Sequence, residues 1–120
     1  MEQRQNPLIL TIDDEENIRD SFRLFLEDFE YDVIEAANGR EGIEKIASEK
    51  PDLVLCDLRM PDLDGLEVLQ YIKDQNLDTP IIVVSGTGVI GDAIEAIRRG
   101  AWNYLLKPIQ DMSVLLHEIS

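Results

Sequence analysis

The sequence predicts an α/β fold in which helices cover both faces of a parallel sheet. Three strongly apolar runs, at residues 8–12, 53–56 and 80–85, lack polar alternation, which is typical of strands buried on both faces. Each run is followed by a segment with helical periodicity, and strands that alternate with helices form parallel sheets with right-handed crossovers. A chain of 120 residues is too short for an eight-stranded barrel of about 250 residues. We therefore expect a flavodoxin-like, doubly wound sheet of five strands in the order 2-1-3-4-5.

Weaker patterns place the other elements. The helix after the first strand has an apolar face that consists of Ile18, Phe22, Phe25, Leu26 and Phe29. The remaining predicted elements are a strand at 31–36, a helix that ends before Pro51, helices at about 65–75 and 92–99, a strand at 103–106 and a helix from 111. In the helix at 92–99, we expect Ile94 and Ile97 to face the sheet.

The charge of the chain excludes several functions. It has 25 acidic and 11 basic residues and a net charge of −14, which argues against binding of DNA, RNA or an anionic membrane by this domain. The single cysteine, Cys56, lies within an apolar run, so we interpret it as a core residue in a reducing compartment. The sequence shows no secretory signal and no apolar run long enough to span a bilayer, so a cytoplasmic location is expected.

The chain is expected to form one domain over residues 8–120, after a polar and disordered leader at residues 1–7. The sequence stops within an apparent helix, which suggests a piece of a longer protein with a further C-terminal domain. A natural single-domain protein with a short last helix is the alternative.

Ionisable and hydroxyl side chains follow four of the predicted strands. Asp13 and Asp14 follow the first, Asp57 ends the third, Ser85 ends the fourth and Lys107 follows the fifth. The carboxyl ends of parallel strands lie at one edge of a sheet, and open α/β sheets bind their ligands there. Three carboxylates at this edge repel one another unless a cation offsets them. We therefore predict a site for a hard divalent cation, Mg²⁺ or Mn²⁺.

These residues and their spacing resemble the receiver domains of two-component response regulators, in particular the single-domain chemotaxis type. The resemblance covers nearly the whole chain from residue 8. Its motifs are Asp13-Asp14, Asp57-Leu58-Arg59-Met60-Pro61-Asp62-Leu63-Asp64-Gly65, Ser85-Gly86, Gly100-Ala101 and Tyr104-Leu105-Leu106-Lys107-Pro108.

The resemblance implies phosphoryl transfer to Asp57 from a histidine kinase, a histidine phosphotransfer protein or a small phosphodonor. Asp14, Asp57 and the backbone carbonyl of Arg59 would bind Mg²⁺ directly, and Asp13 would act largely through water. The domain would not be an enzyme beyond catalysing its own phosphorylation and dephosphorylation. A long side chain at Arg59 could shield the phosphoryl group or pair with it.

The resemblance also assigns the residues around the phosphoryl group and the partners. Lys107, the Ser85 hydroxyl and the Gly86 backbone N–H would bind phosphoryl oxygens, which is where positioned cations and donors contribute most to catalysis. Ser85 and Tyr104 would form the switch pair. The face formed by the fourth helix, fifth strand and fifth helix would contact an output domain or an effector protein. A homodimer that forms on phosphorylation is also compatible with the resemblance.

Three alternative functions fit the sequence less well. Residues 86–91 match G-x-G-x-x-G, but a dinucleotide fingerprint normally follows the first strand. A phosphohydrolase with an Asp nucleophile would need a second carboxylate near Arg59 and a cap, and the sequence has neither. A receiver that binds partners without phosphorylation is the third alternative, and the intact set of site residues argues against it.

Overall fold

The computed structural model of the protein describes residues 6–60, 63–86 and 90–107. Within these ranges, five strands alternate with four helices. The strands are β1 (Leu8–Ile12), β2 (Asp32–Ala36), β3 (Leu53–Asp57), β4 (Ile81–Ser85) and β5 (Asn103–Leu106). The helices are α1 (Glu16–Asp28), α2 (Gly39–Glu49), α3 (Gly65–Asp74) and α4 (Ile90–Arg98). The helix predicted from residue 111 and most of the predicted leader lie outside the described residues.

The five strands form one parallel sheet in the order β2-β1-β3-β4-β5. This order confirms the predicted flavodoxin-like fold. The direction of winding reverses between β1 and β3, where Ile12 pairs with Cys56. The next residue of each chain segment is an aspartate, Asp13 or Asp57, so the register alone brings two carboxylates to the same edge.

Helices cover both faces of the sheet, and each face has its own apolar cluster. On one face, α1 packs Phe22 and Leu26 against a cluster that includes Ile9 of β1. On the other face, α2, α3 and α4 cover a larger cluster that includes Cys56. Burial, together with the nearby charge of Asp57, raises the pKa of the Cys56 thiol well above its usual value, so this cysteine is the neutral core residue that was predicted. None of the helices in the described part of the chain is long and apolar enough to cross a membrane.

The start of α3 lies close to the end of β3. The Asp64 side chain caps α3 by accepting a hydrogen bond from the Glu67 backbone N–H at 3.1 Å. In turn, the Glu67 side chain accepts a hydrogen bond from the Asp64 backbone N–H. The Gly65 N–H donates to the Leu58 carbonyl at 2.9 Å. A Cβ atom at Gly65 would lie 2.6 Å from the carbonyl oxygen of Asp57, so only glycine allows this approach.

Replacement of Gly65 by alanine is expected to destabilise the fold and to move the Asp57 backbone. The added methyl group would meet backbone atoms of Asp57 and Leu58, which cannot rotate away as a side chain could. We expect a loss of at least about 1 kcal/mol in the free energy of unfolding by urea. Gly86→Ala is the matched control, since nothing lies within 4 Å of a Cβ atom there. Equal stability of the two variants would contradict the close approach.

The structure corrects several details of the sequence prediction. Ile94 and Ile97 were expected to face the sheet, but they are 50% and 49% exposed. Among residues 91–98 of α4, whose burial the structure describes, Ala96 is the buried one. At 3.6 residues per turn, Ile94 and Ile97 lie roughly 160° and 100° around the helix from it. The small side chain of Ala96 lets α4 pack closely against the sheet. A prediction based on large apolar residues overlooks such a contact. Phe29, which was expected on the apolar face of the first helix, also lies largely outside the core.

The element boundaries shift only slightly. The second strand begins at Asp32, the third helix ends at Asp74, and the fourth helix covers Ile90–Arg98 rather than residues 92–99. Differences of one or two residues at the ends of elements do not alter the position of any strand end at the predicted site.

Candidate functional site

Three carboxylates meet at the carboxyl edge of the sheet, as predicted. Asp13, Asp14 and Asp57 each offer an oxygen, and these three oxygens lie within 4.8 Å of one another. Asp13 and Asp57 are only 2% and 6% exposed, whereas Asp14 is exposed to solvent. The site therefore has two buried carboxylates and one that faces outward.

The turn after β1 is fixed through Asp13. Its backbone N–H continues the sheet by donating to the Ala36 carbonyl at 3.1 Å, and its Oδ1 accepts the Glu15 backbone N–H at 2.9 Å. Its backbone carbonyl accepts a hydrogen bond from Arg19 Nη1 at 2.7 Å. The contact with Arg19 was missed in the sequence. The only signal for it is that Arg19 lies in the first turn of α1, next to the turn that carries the acidic pair.

Lys107 is the cation of the site. Its backbone N–H donates to the Ser85 carbonyl at 2.8 Å, which extends the pairing of β4 and β5 by one residue. Its Nζ lies 2.7 Å from Asp13 Oδ2 and 3.4 Å from Asp57 Oδ2. Burial opposes the charged form of Lys107, but its hydrogen bonds and attraction to Asp13 and Asp57 outweigh burial and raise its pKa. Lys107 is therefore held as an ammonium between the two buried carboxylates.

The ionisation of Asp57 is strongly perturbed by its surroundings. Burial and then the negative charge of Asp13 raise its pKa to about 6 from the usual 3.8, although Lys107 and the Arg59 backbone N–H favour its ionised form. The Lys107 charge thus offsets only part of the cost of two buried anions. An ionised, poorly solvated carboxylate beside one ammonium is the environment expected of a nucleophile or a metal ligand.

The donor set fits a hard divalent cation. Carboxylate oxygens are the ligands that Mg²⁺ and Mn²⁺ prefer, and Mg²⁺ retains waters alongside one or two carboxylates. Both oxygens of Asp13 already accept hydrogen bonds, one from Lys107 and one from the Glu15 N–H. Asp14 and Asp57 are consequently better suited to direct contact with a cation than Asp13 is.

The other predicted residues surround this cluster. Ser85 is fully buried at the end of β4, and Gly86 follows it at the surface. Tyr104 is half-buried and packs against the larger apolar cluster. The Arg59 side chain points to α4, where its Nη2 lies 2.7 Å from Asp92 Oδ1. The roles of all four in phosphate binding, switching or metal binding stay predictions.

Comparisons with known proteins agree with this geometry. Residues 9–120 match the family model described as the response regulator receiver domain. The chain is 38% identical over 109 residues, 91% of its length, to the alkaline phosphatase synthesis transcriptional regulatory protein PhoP of Bacillus subtilis. It is 36% identical over 99 residues, 82% of its length, to the regulatory protein LuxO of Vibrio cholerae.

The chain spans 45% of the length of PhoP and 22% of that of LuxO. Among solved structures, it resembles a CheY-like response regulator receiver domain protein from Methanospirillum hungatei. The TM-score is 0.88 at 33% identity, over 96% of this chain and 91% of that one. The edge of the sheet at which the aspartates and Lys107 meet thus occurs on a scaffold that these proteins share, and the chain belongs to the family of response regulator receiver domains of two-component signalling.

Proposed function

We propose that this domain is a phosphorylation-dependent switch in which Asp57 accepts a phosphoryl group from a histidine kinase or a histidine phosphotransfer protein. The observation that supports this most directly is the buried Asp57 carboxylate, 3.4 Å from the Lys107 ammonium, at an edge that also holds Asp13 and Asp14. The proposal includes a cytoplasmic location and no turnover of a separate substrate, so the domain is not an enzyme beyond its own phosphorylation and dephosphorylation.

The proposed transfer forms a bond between an Asp57 carboxylate oxygen and phosphorus. The phosphorus–nitrogen bond of the donor phosphohistidine breaks, and the imidazole leaves with that electron pair. Asp57 must be ionised to attack, and with a pKa of about 6 it is mostly carboxylate above neutral pH. Its burial leaves this carboxylate poorly hydrated, so little solvent has to be removed before it reaches phosphorus.

Asp14, Asp57 and the Arg59 backbone carbonyl would hold the Mg²⁺ or Mn²⁺ ion, and Asp13 would act on it largely through water. When bound, the ion would offset negative charge on the phosphoryl oxygens, which is the main demand of a loose, in-line transition state. Asp14 can serve in this role because its carboxylate is exposed at the mouth of the site.

The other groups would bind the phosphoryl oxygens. Lys107 Nζ lies between Asp13 and Asp57, so a phosphoryl group on Asp57 would take over its contact with the Asp57 carboxylate. The Ser85 hydroxyl and the Gly86 N–H would donate to the remaining oxygens. Movement of Ser85 would vacate space that the half-buried Tyr104 ring fills, which would carry the signal from the site to β5.

The signal would leave through the face formed by α4, β5 and the predicted fifth helix. In the described part of this face, α4 exposes about half of Ile94 and of Ile97. An output domain, an effector protein or a second copy of the chain would bury these side chains after phosphorylation. No direct binding of nucleic acid by this domain is proposed, in keeping with its net charge of −14.

Titration with Mg²⁺ and beryllofluoride, a mimic of the phosphoryl group, tests the proposal by amide NMR. Mg²⁺ alone should shift the amides beside its ligands, and we expect further shifts at Ser85 and Lys107 only when both reagents are present. These further shifts should be absent in Asp57→Asn. Trp102 fluorescence is a poor reporter, because Trp102 lies at the opposite edge of the sheet. There its backbone N–H donates a hydrogen bond to the Ile81 carbonyl at the start of β4. An absence of the further shifts in the unmodified protein would favour the alternative, a receiver that binds partners without phosphorylation.

A further inference from the structure

We propose that Arg19 is a positioning residue for the metal site, because its guanidinium holds the turn that presents Asp13 and Asp14. This inference rests on the proposed function of that site, but it concerns a residue of α1 that would not touch the ion or the phosphoryl group. It also predicts a defect in metal affinity that can be measured without phosphorylation.

The contact is direct, and little of it is open to solvent. Arg19 Nη1 donates to the Asp13 carbonyl at 2.7 Å, and the Arg19 side chain is only 15% exposed. A short hydrogen bond from a charged donor to a backbone carbonyl is stronger than one between neutral groups. The carbonyl belongs to the peptide bond that joins Asp13 to Asp14, so Arg19 acts on the peptide unit that sets the direction of the Asp14 side chain.

A second interaction fixes the orientation of the guanidinium. Arg19 Nε lies 3.1 Å from Glu35 Oε1 on β2, and the other Glu35 oxygen lies 2.5 Å from Arg23 Nη1. The Glu35 backbone carbonyl also accepts a hydrogen bond from Lys45 Nζ. Glu35 is therefore anchored by three basic residues from two helices. Its carboxylate fixes the Arg19 guanidinium so that Nε faces Glu35 on β2 and Nη1 faces the Asp13 carbonyl.

The turn needs this support because its other restraints are few. Glu15 occupies the N-cap position of α1 but makes no side-chain capping hydrogen bond. The Asp13 side chain accepts one hydrogen bond from within the turn, from the Glu15 N–H, and its other oxygen contacts Lys107, which follows β5. Arg19 holds the other side of the same turn. In the part of the chain that the structure describes, no hydrogen bond or ion pair holds the exposed Asp14 carboxylate, so its position depends on the backbone.

The test compares metal affinity in matched arginine variants. Arg19→Met removes the bond to Asp13, whereas Arg23→Met removes the other arginine bound to Glu35 and leaves Asp13 untouched. We expect Mg²⁺ to bind about tenfold more weakly to Arg19→Met, as is typical when a group that orients a metal ligand is lost. Arg23→Met should bind Mg²⁺ within about twofold of the unmodified protein. Affinity is read from amide NMR shifts of residues 13–16 and confirmed by Mn²⁺ relaxation.

Arg19→Lys separates positioning from charge. Lysine keeps the positive charge but cannot donate to Glu35 and Asp13 at the same time with the fixed geometry of a guanidinium. The Mg²⁺ affinity of Arg19→Lys should therefore resemble that of Arg19→Met. At saturating Mg²⁺, the rate of phosphorylation by acetyl phosphate should recover to within about threefold of the unmodified protein, since the reacting groups are intact.

Two results would overturn the proposal. One is equal Mg²⁺ affinity in Arg19→Met and Arg23→Met. The other is unchanged Mg²⁺ affinity in Arg19→Lys, which would mean that Arg19 acts only through its charge. Circular dichroism melting selects a temperature at which all the variants are folded. An unmodified protein that binds no Mg²⁺ would overturn the proposed function as well, and that result differs from a failure confined to Arg19.

Discussion

Replacement of Lys107 by methionine is expected to reduce both phosphorylation and stability. Methionine keeps the length and apolar stem of lysine but removes the ammonium that lies 2.7 Å from Asp13 and 3.4 Å from Asp57. Loss of one positioned charge that stabilises a transition state typically lowers the rate by about 100-fold or more, and we expect a loss of this size in phosphorylation by acetyl phosphate.

The stability loss follows from the carboxylates that remain. Without Lys107, Asp13 and Asp57 would be two buried anions side by side, and removal of one partner from a buried ion pair costs about 3 to 5 kcal/mol. The pKa of Asp57 would rise further, and proton uptake would relieve part of this cost. We therefore expect a decrease of about 2 to 4 kcal/mol in the free energy of unfolding at neutral pH without divalent cations.

Lys73→Met is the matched control, because Lys73 is an exposed lysine in the last turn of α3. Urea unfolding and intact-mass kinetics measure the two effects. A Lys107→Met protein that matches Lys73→Met in stability and rate would contradict the central place of this ammonium in the site.

Asp57→Asn is expected to raise stability in the absence of divalent cations. Burial and the charge of Asp13 raise the pKa of Asp57 to about 6. The folded protein therefore binds this proton more tightly than the unfolded chain does, and the ionised form opposes folding. At about 1.4 kcal/mol per pKa unit, the rise from 3.8 to about 6 corresponds to about 3 kcal/mol. We expect the neutral asparagine to raise the free energy of unfolding by up to that amount above neutral pH.

The pH dependence has a definite sign. Below the usual aspartate pKa of 3.8, Asp57 is protonated in both the folded and unfolded states, so its ionisation costs the fold nothing. As the pH rises through about 6, the folded protein must ionise Asp57, and the full cost appears. The difference between Asp57→Asn and the unmodified protein should therefore be largest above pH 6 and shrink as the pH falls toward 3.8.

Urea unfolding across this pH range measures the effect, and Asp78→Asn is the control, since it removes the same charge from an exposed loop. Mg²⁺ should reverse the order of stabilities, because it binds and stabilises only the protein that keeps the Asp57 carboxylate. A lower stability of Asp57→Asn at all pH values would contradict the destabilising burial of this charge.

Much of this site could be predicted because it follows from topology. β1, β3 and β4 are buried at every position, so their apolar runs are clear in the sequence, and parallel strands place their carboxyl ends together. The meeting of Asp13, Asp57 and Lys107 at one edge could be predicted from their positions at the ends of strands alone.

The remaining features depend on side-chain packing that no local pattern encodes. The rotation of α4 about its axis is set by the close contact of Ala96 with the sheet, so the two large isoleucines misled the prediction. The bond from Arg19 to the Asp13 carbonyl joins α1 to a turn, and its geometry depends on Glu35 of β2. Such contacts involve common surface residue types, and their sequence positions alone do not distinguish them from solvated charges.

The most direct test of the central claim is the intact mass of the protein after incubation with acetyl phosphate and Mg²⁺. We predict that the protein gains one phosphoryl group, and that this gain is absent when Mg²⁺ is chelated and absent in Asp57→Asn. A protein that gains no phosphoryl group, or one that gains it equally in Asp57→Asn, would contradict the assignment of Asp57 as the phosphoacceptor.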